Sequence, residues 1–387
     1  MVKRQYIARR HRNVTLPPLS KTDEMSRRYD DVIDLSVGDP DMACDREIIE
    51  QMYADALAGH TKYTEFQGDG ELRTAICRAY QEDYNCLFDK DNIMITSGGT
   101  HAMFLLMESV LDEGDEVIVI APFYTYYEPQ IQLGRGKMVI YPTDKDNDFE
   151  LNVTDLEQLI TPKTKAVIVN TPNNPTGRVY HESSIKQLIA LADQHDFLII
   201  ADDIYSALNF TDRTTPIHCY DSTNPRIITI YSFSKDFLMT GFRLGYVVAD
   251  REIIKTLRNV NEAVNFTVNA MAQRAGIYAL QKRHAIWSEL AVEYKKRADY
   301  AYHRIKQMKN MDTYKPEGTF YLFVDIRQTG LTSEEVWEMM LDQAHVLVQP
   351  GSGFGVAGEG YLRIALTCDV EVLTEAFDRI EQMDVFR

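Results

Sequence analysis

With 387 residues, 45% of them hydrophobic and 26% charged, the chain carries enough apolar material for a large buried core and more than one domain, and its ordinary glycine and proline content excludes a disordered or fibrous protein. A formal net charge of -17 argues against nucleic acid or an anionic membrane as the main partner. The five cysteines (Cys44, Cys77, Cys86, Cys219 and Cys368) are scattered without a C-x-x-C pair, so no disulfide framework and no metal site is expected, and the expected compartment is reducing.

No apolar run reaches the roughly 18 residues that a bilayer-spanning helix needs, and the first residues lack an apolar signal core, so no membrane association is expected. Residues 1–22 contain Lys3, Arg4, Arg9, Arg10 and Arg12 and no acid, a pattern shared by transit peptides and by basic arms that lie on acidic bodies.

Val32 to Leu35 reads as a short strand that breaks at Gly38-Asp39-Pro40. Helices are expected over Asp45–Leu57 and Glu71–Asp83, separated by His60-Thr61-Lys62-Tyr63-Thr64 and Gly68-Asp69-Gly70. From Asn92 onward, short apolar runs alternate with amphipathic ones, which predicts successive βα units and a mostly parallel sheet. The expected strands are Ile93–Thr96, Glu116–Ile120, Lys137–Tyr141, Lys165–Val169, Phe197–Ala201, Ile227–Tyr231 and Tyr246–Ala249, making one seven-stranded sheet flanked by helices such as His101–Leu111, Val153–Ile160 and Glu182–Gln194.

The remainder changes character. A long helix from about Ala279 to Met308 leads to an alternating strand in the stretch Pro316–Asp325, a helix Ser333–Gln343, the segment Val346–Gln349, the turn Pro350-Gly351-Ser352-Gly353-Phe354-Gly355, a strand Tyr361–Leu366 and a last helix Val370–Gln382. This predicts a smaller α+β domain, with borders at 1–45 for an arm and part of the small domain, 46–285 for the large domain and 286–387 for the small one.

In open parallel sheets, ligands bind beyond the carboxyl ends of the strands. Those ends carry Gly98-Gly99-Thr100, Tyr124, Asn170 to Gly177, Asp202 with Tyr205, and Ser232, Ser234 and Lys235. Each is commonplace alone, but one rim holding a glycine nest, an aromatic ring, an amide, a carboxylate and a lysine is a complementary set for one molecule. A strand-end lysine whose pKa is lowered by desolvation forms Schiff bases with carbonyls, and the serines beside it, with Arg243 a short loop away, suit a phosphate. The cofactor that is both aldehyde and phosphate is pyridoxal 5′-phosphate. In the late strand Leu362-Arg363-Ile364-Ala365-Leu366, Arg363 is costly unless it is paired with an acid or with a ligand carboxylate.

Together these pieces resemble the class I/II aminotransferases, the pyridoxal-phosphate-dependent enzymes of fold type I with an aspartate-aminotransferase-like plan. The similarity runs over nearly the whole chain: L-x-x-G-x-P-D at Leu35 to Asp41, H-x-K-Y-T at His60 to Thr64, N-N-P-T-G at Asn173 to Gly177, D-x-x-Y at Asp202 to Tyr205, S-x-S-K at Ser232 to Lys235, G-x-R-x-G at Gly241 to Gly245 and P-G-S-x-F-G at Pro350 to Gly355.

The resemblance implies that Lys235 forms the internal aldimine and then moves the proton between Cα and C4′. It implies that Asp202 pairs with the pyridine nitrogen, that Tyr205 and Asn174 bond the phenolic oxygen, and that Tyr124 stacks on the ring. The phosphate would take Gly99 and Thr100 N–H groups, Ser232, Ser234 and Arg243, with Tyr63 reaching the phosphate of the other subunit of a homodimer. Arg363, helped by Gly38 and Asn174, would bind the substrate α-carboxylate. The implied reaction is a ping-pong exchange of an amino group between an L-α-amino acid and a 2-oxo acid in the cytoplasm, the alternative being a β-carbon–sulfur lyase of the same fold. Two departures stand out: Asp203 where D-E-I-Y usually has glutamate, and Thr100 where a bacterial aspartate-specific subgroup has lysine. Side-chain recognition is expected from Val14–Leu19, from the loop at Tyr126 and Tyr127, and from Asn265-Phe266.

Overall fold

The computed structural model describes residues 25–213 and 215–387, together with Tyr6 and Thr22. The expected recognition segment Val14–Leu19 lies outside the described residues.

A short β1 (Ile33–Asp34) precedes helices α1 (Arg46–Leu57) and α2 (Gly70–Tyr84), each started by an aspartate, Asp45 or Asp69, whose carboxylate accepts from first-turn N–H groups. The main sheet comprises β2 (Ile93–Thr96), β3 (Glu116–Ala121), β4 (Lys137–Pro142), β5 (Thr164–Asn170), β6 (Leu198–Asp202), β7 (Ile227–Ser232) and β8 (Gly245–Val248). Its order is β2-β8-β7-β6-β5-β3-β4, and only β8 runs antiparallel to its neighbours. The seven expected strands are thus the seven observed, with ends shifted by a residue or so. One shift matters: Asp202 is the last residue of β6 rather than the first beyond it.

Strands β2, β3, β7 and β8 are buried along their whole length, because helices cover both faces. Successive residues point to opposite faces, so Val117 and Val119 join one core with helix α3 (Gly99–Val110), while Ile118 and Ile120 join another with Leu188 and Ile189 of helix Glu182–His195. The pattern reading missed two helices, Tyr127–Leu133 and Arg251–Val264; the second packs Ile254 and Leu257 onto the first of these cores.

The long helix starts at Ala270 rather than Ala279 and runs to Gln307. Its first part, through Ala272, Ala275 and Leu280, packs on the core beside β2 and β8. Its second part, through Leu290, Tyr294 and Ile305, packs on a separate core with Phe320, Trp337 and Phe377. The expected border at residue 285 therefore falls inside one continuous helix. The second core backs a four-stranded antiparallel sheet, β12-β13-β10-β9, built from Gln349–Pro350, Tyr361–Ala365, Tyr321–Asp325 and Asp312–Thr313. β1 pairs in parallel with β11 (Val346–Leu347), and Ala365 N–H donates to Leu35 O at 2.7 Å, which fixes the segment after it, Ser36 to Asp39, between the two sheets.

Candidate active site

A cavity of about 310 Å³ opens between the carboxyl ends of the parallel strands and the Ser36–Asp39 segment. Every expected site residue except Tyr63 lines it: Gly38, Gly99, Thr100, Tyr124, Asn174, Asp202, Tyr205, Ser232, Ser234, Lys235, Arg243 and Arg363.

Lys235 sits on a single helical turn (Phe233–Asp236) directly after β7, capped by Ser232, whose Oγ accepts from Ser234 N–H at 3.2 Å. Its amine donates to the carbonyl of Gly38. Burial pushes the Lys235 amine down to about 8; Asp39 opposes that, while Arg363 and Arg243 add to it. An amine so placed has a sizeable unprotonated fraction near neutral pH, which a nucleophile or base requires. Gly38 is needed for this contact, since a Cβ there would stand 1.8 Å from Tyr321 Oη.

On the floor of the cavity, Asp202 is 5% exposed. The hydroxyl of Tyr127 donates to Oδ2, while Oδ1 has no protein partner. Burial raises the Asp202 carboxyl to about 6, against the opposing hydrogen bonds from Tyr127 and from Ile204 N–H. Asn170 anchors the neighbouring chain: its Nδ2 donates to Asp202 O at 2.8 Å, and its Oδ1 accepts from Asn174 N–H at 2.7 Å.

Asn174 joins two parts of the cavity. Its Nδ2 donates to Tyr205 Oη at 3.4 Å, and its Oδ1 accepts from Arg363 Nη1 at 3.1 Å. Arg363 also donates from Nη2 to Ser36 O at 2.6 Å, and its guanidinium lies 4.3 Å from the Tyr321 ring centroid and 4.9 Å from that of Phe354. Its partners are neutral oxygens, and its buried Nε has none. A guanidinium sandwiched by rings and bonded, among the described residues, to neutral groups is set to take a carboxylate as a fork.

The other end is built for an anion. Gly98, at φ 85, opens the twelve-residue helix α3, whose first N–H groups face the cavity. A Cβ on Gly98 would lie 2.7 Å from Arg243 Nη2, so glycine lets the guanidinium approach the helix start. Arg243 Nη1 donates to Thr240 O at 2.9 Å and lies 3.5 Å from Ser234 Oγ, which in turn is 2.9 Å from Ser232 Oγ. The antiparallel pairing of β8 places Gly245 opposite both Ser232 and Thr96, and this brings the arginine loop, the serines and the glycine nest together.

These donors fit pyridoxal 5′-phosphate. Asp202 Oδ1 is a buried acceptor awaiting an N–H, the Lys235 amine is available to an aldehyde, and the helix start with two hydroxyls and Arg243 matches a phosphate. Tyr124, half-buried, meets Tyr126 at 5.3 Å and Tyr127 edge-on at 5.6 Å between centroids.

One expectation changes. Tyr127 does not line a recognition loop: it is the first residue of a helix, is 2% exposed, and bonds Asp202. Its position three residues after Tyr124 gave no separate signal, because only the fold brings it to Asp202. Tyr63, expected at the phosphate of the other subunit, is 81% exposed and packs edge-on against Phe266 at 5.0 Å, outside the cavity of its own chain. Tyr321 was missed as well; it lines the cavity, stacks on Arg363 and stands 3.4 Å from Tyr205 Oη.

Known proteins share this chain's sequence pattern and fold. The family described as aminotransferase class I and II matches residues 30–380. An aspartate aminotransferase from Thermotoga maritima is 33% identical over 377 residues, covering 96% of this chain and 98% of the relative. An aromatic-amino-acid aminotransferase 2 from Thermococcus litoralis is 34% identical, covering 94% and 95%. Among solved structures, the aromatic aminotransferase of Pyrococcus horikoshii superposes with a TM-score of 0.88 at 35% identity, covering 94% of this chain and 98% of that one. The chain belongs to the aminotransferase class I and II family and is a pyridoxal-phosphate-dependent transaminase.

Proposed function

We propose that the chain's own residues divide the work of transamination as follows. The observation that carries the reading is that the buried amine of Lys235, the unpartnered Oδ1 of Asp202 and the carboxylate-free guanidinium of Arg363 line one cavity. When bound, pyridoxal phosphate supplies an aldehyde to take up the amino group and an electron-withdrawing ring to stabilise negative charge at Cα. Asp202 holds the ring nitrogen protonated, with Tyr127 fixing the carboxylate's orientation. Asn174 and Tyr205 would bond the ring's phenolic oxygen, Tyr124 would pack against the ring, and Gly99, Thr100, Ser232, Ser234 and Arg243, which line the same cavity, would hold the phosphate.

Arg363 grips the substrate α-carboxylate, with Asn174 and the Gly38 backbone beside it. That grip would orient the bound substrate so that its Cα–H faces the Lys235 amine. The neutral amine of Lys235 then removes the proton at Cα and returns one on the other side of the exchange, a role suited to a group titrating near 8. Burial of the amine and of Asp202 keeps water from competing.

The same reading makes the protein a cytoplasmic homodimer acting on L-α-amino acids and 2-oxo acids. Exposed Tyr63, with Phe66 and Phe266 beside it, supports a subunit contact through which Tyr63 enters the partner subunit's cavity. Among the described residues no helix is long and apolar enough to cross a membrane. Residues 46–285 form the cofactor-holding domain, and 286–387, joined by the segment around Ile33–Leu35, form the small domain that carries Arg363. The test is a panel of amino donors against pyruvate, oxaloacetate and 2-oxoglutarate with the native enzyme and Lys235→Ala. Transfer by the native enzyme and none by the variant is expected, and release of pyruvate and ammonia from a cysteine conjugate without an acceptor would point to a lyase instead.

A further inference from the structure

The residue after Lys235 is a second buried acid that the reaction as described does not use. Asp236 is 0% exposed. Both of its donors converge on one oxygen: Oδ2 accepts from Ala207 N–H at 3.1 Å and from the Tyr231 hydroxyl at 2.9 Å, while Oδ1 has no partner. Neither protonation state gives Oδ1 a partner, but a neutral hydroxyl there, with Oδ2 as the carbonyl oxygen, is the cheaper of the two to bury. An ionised carboxylate would leave half its charge on a buried oxygen with no donor.

Asp236 also ties together two chain segments that must be in register. Ala207 belongs to the turn that follows Asp202 and contains Tyr205, and Asp236 is covalently next to Lys235. Apart from the sheet pairing of β6 with β7, this side chain is a direct link between the lysine turn and the turn bearing the ring-nitrogen and phenolic-oxygen partners.

We propose that Asp236 is a positioning residue that acts as a neutral, protonated acid, clamping the Lys235 turn to the Asp202–Ala207 turn. The proposal rests on the assignment of Lys235, Asp202 and Tyr205 to the cofactor. The titratable groups facing it are Tyr231 and Tyr246 on the adjoining strands, Tyr84 at the end of α2, and Asp203 on the clamped turn. Burial holds all of these groups, Asp203 included, towards their neutral forms, so none of them supplies a positive charge that would favour an ionised Asp236. Burial alone raises the Asp236 carboxyl to about 8, against the two hydrogen bonds it accepts. A carboxyl that is neutral in the fold and ionised in the unfolded chain costs stability progressively from its unfolded value, 3.8, up to about 8.

Asparagine reproduces the accepting oxygen and cannot ionise; alanine removes the clamp. The experiment compares Asp236→Asn and Asp236→Ala with the native holoenzyme in kcat, KM and thermal unfolding from pH 5 to pH 8. The expected result is that Asp236→Asn keeps kcat within about threefold and unfolds at a higher temperature than the native enzyme, by more at pH 8 than at pH 5. Asp236→Ala, with its lysine and ring partners free to drift by a fraction of an ångström, loses roughly 10- to 100-fold in kcat with little change in KM. Equal losses in both variants, or an Asn variant destabilised by the same amount at every pH, would overturn the proposal. If Asp236→Ala fails to fold, the pH dependence of the Asn variant's unfolding still decides it. Absence of transamination by the native enzyme would instead count against the assignment of the site.

Discussion

Replacing Lys235 by methionine should stabilise the cofactor-free protein, and the size and pH dependence of the gain follow from the burial of the amine. In the fold the amine titrates at about 8 rather than 10.5, with desolvation as the largest cause. The folded state therefore prefers the neutral amine. Below about pH 8 the amine is charged in both states and the full penalty applies; between 8 and 10.5 the penalty fades; above 10.5 both states are neutral and none remains. At about 1.4 kcal/mol per pH unit the interval corresponds to roughly 3 kcal/mol, close to a quarter or more of the net stability of a typical domain. Methionine fills a similar volume without a charge. Urea unfolding of cofactor-free native and Lys235→Met proteins should give a difference of about 3 kcal/mol at pH 7, most of it gone by pH 10.5. A difference that is absent at pH 7, or that is the same at both pH values, would refute the claim that desolvation prepares this amine.

Further changes test other parts of the cavity. Arg363→Ala should lower kcat/KM for every amino donor by about 2–5 kcal/mol, and Arg363→Lys should recover little because a point charge cannot replace the fork; near-normal kcat/KM in either variant would remove Arg363 from the carboxylate site. Gly38→Ala forces a methyl group to within 1.8 Å of Tyr321 Oη, so steady-state kinetics should show kcat reduced roughly tenfold or more as the Gly38 carbonyl and Lys235 separate. Tyr127→Phe removes the donor to Asp202 Oδ2 and should weaken cofactor binding by about 1–3 kcal/mol in an absorbance titration. Unaltered cofactor affinity in that variant would mean that the hydroxyl does not orient the carboxylate.

Much of this architecture is legible in residue order because local patterns carry it. Apolar runs such as Ile227–Ile230 and Val117–Ile120 are strands buried on both faces, and the carboxyl ends of parallel strands share one rim, so Asp202 and Lys235 are expected at one cavity, as observed. What was not legible depends on contacts between distant elements. The antiparallel direction of β8 is set by how the connection through Lys235 and Arg243 turns back, and no apolar pattern records it. Tyr127 and Asp236 read as an ordinary aromatic and an ordinary acid; only burial of one against Asp202 and of the other between Ala207 and Tyr231 gives them a part. The helix Arg251–Val264 was missed although its hydrophobic side is well defined, because three charged residues in its first five positions mask the stripe of Ile254 and Leu257. Tyr63 illustrates the converse: its motif is plain in sequence, while its exposed position in a single chain gives it no partner in its own cavity.

The most direct measurement is borohydride reduction of the purified holoenzyme followed by proteolysis and mass spectrometry. The account predicts that the cofactor's mass is retained on the peptide containing Ser232 to Phe237, attached at Lys235, and that Lys235→Ala retains none. Cofactor attached at another lysine, or a Lys235→Ala enzyme that still carries it after reduction and still transaminates, would contradict the account.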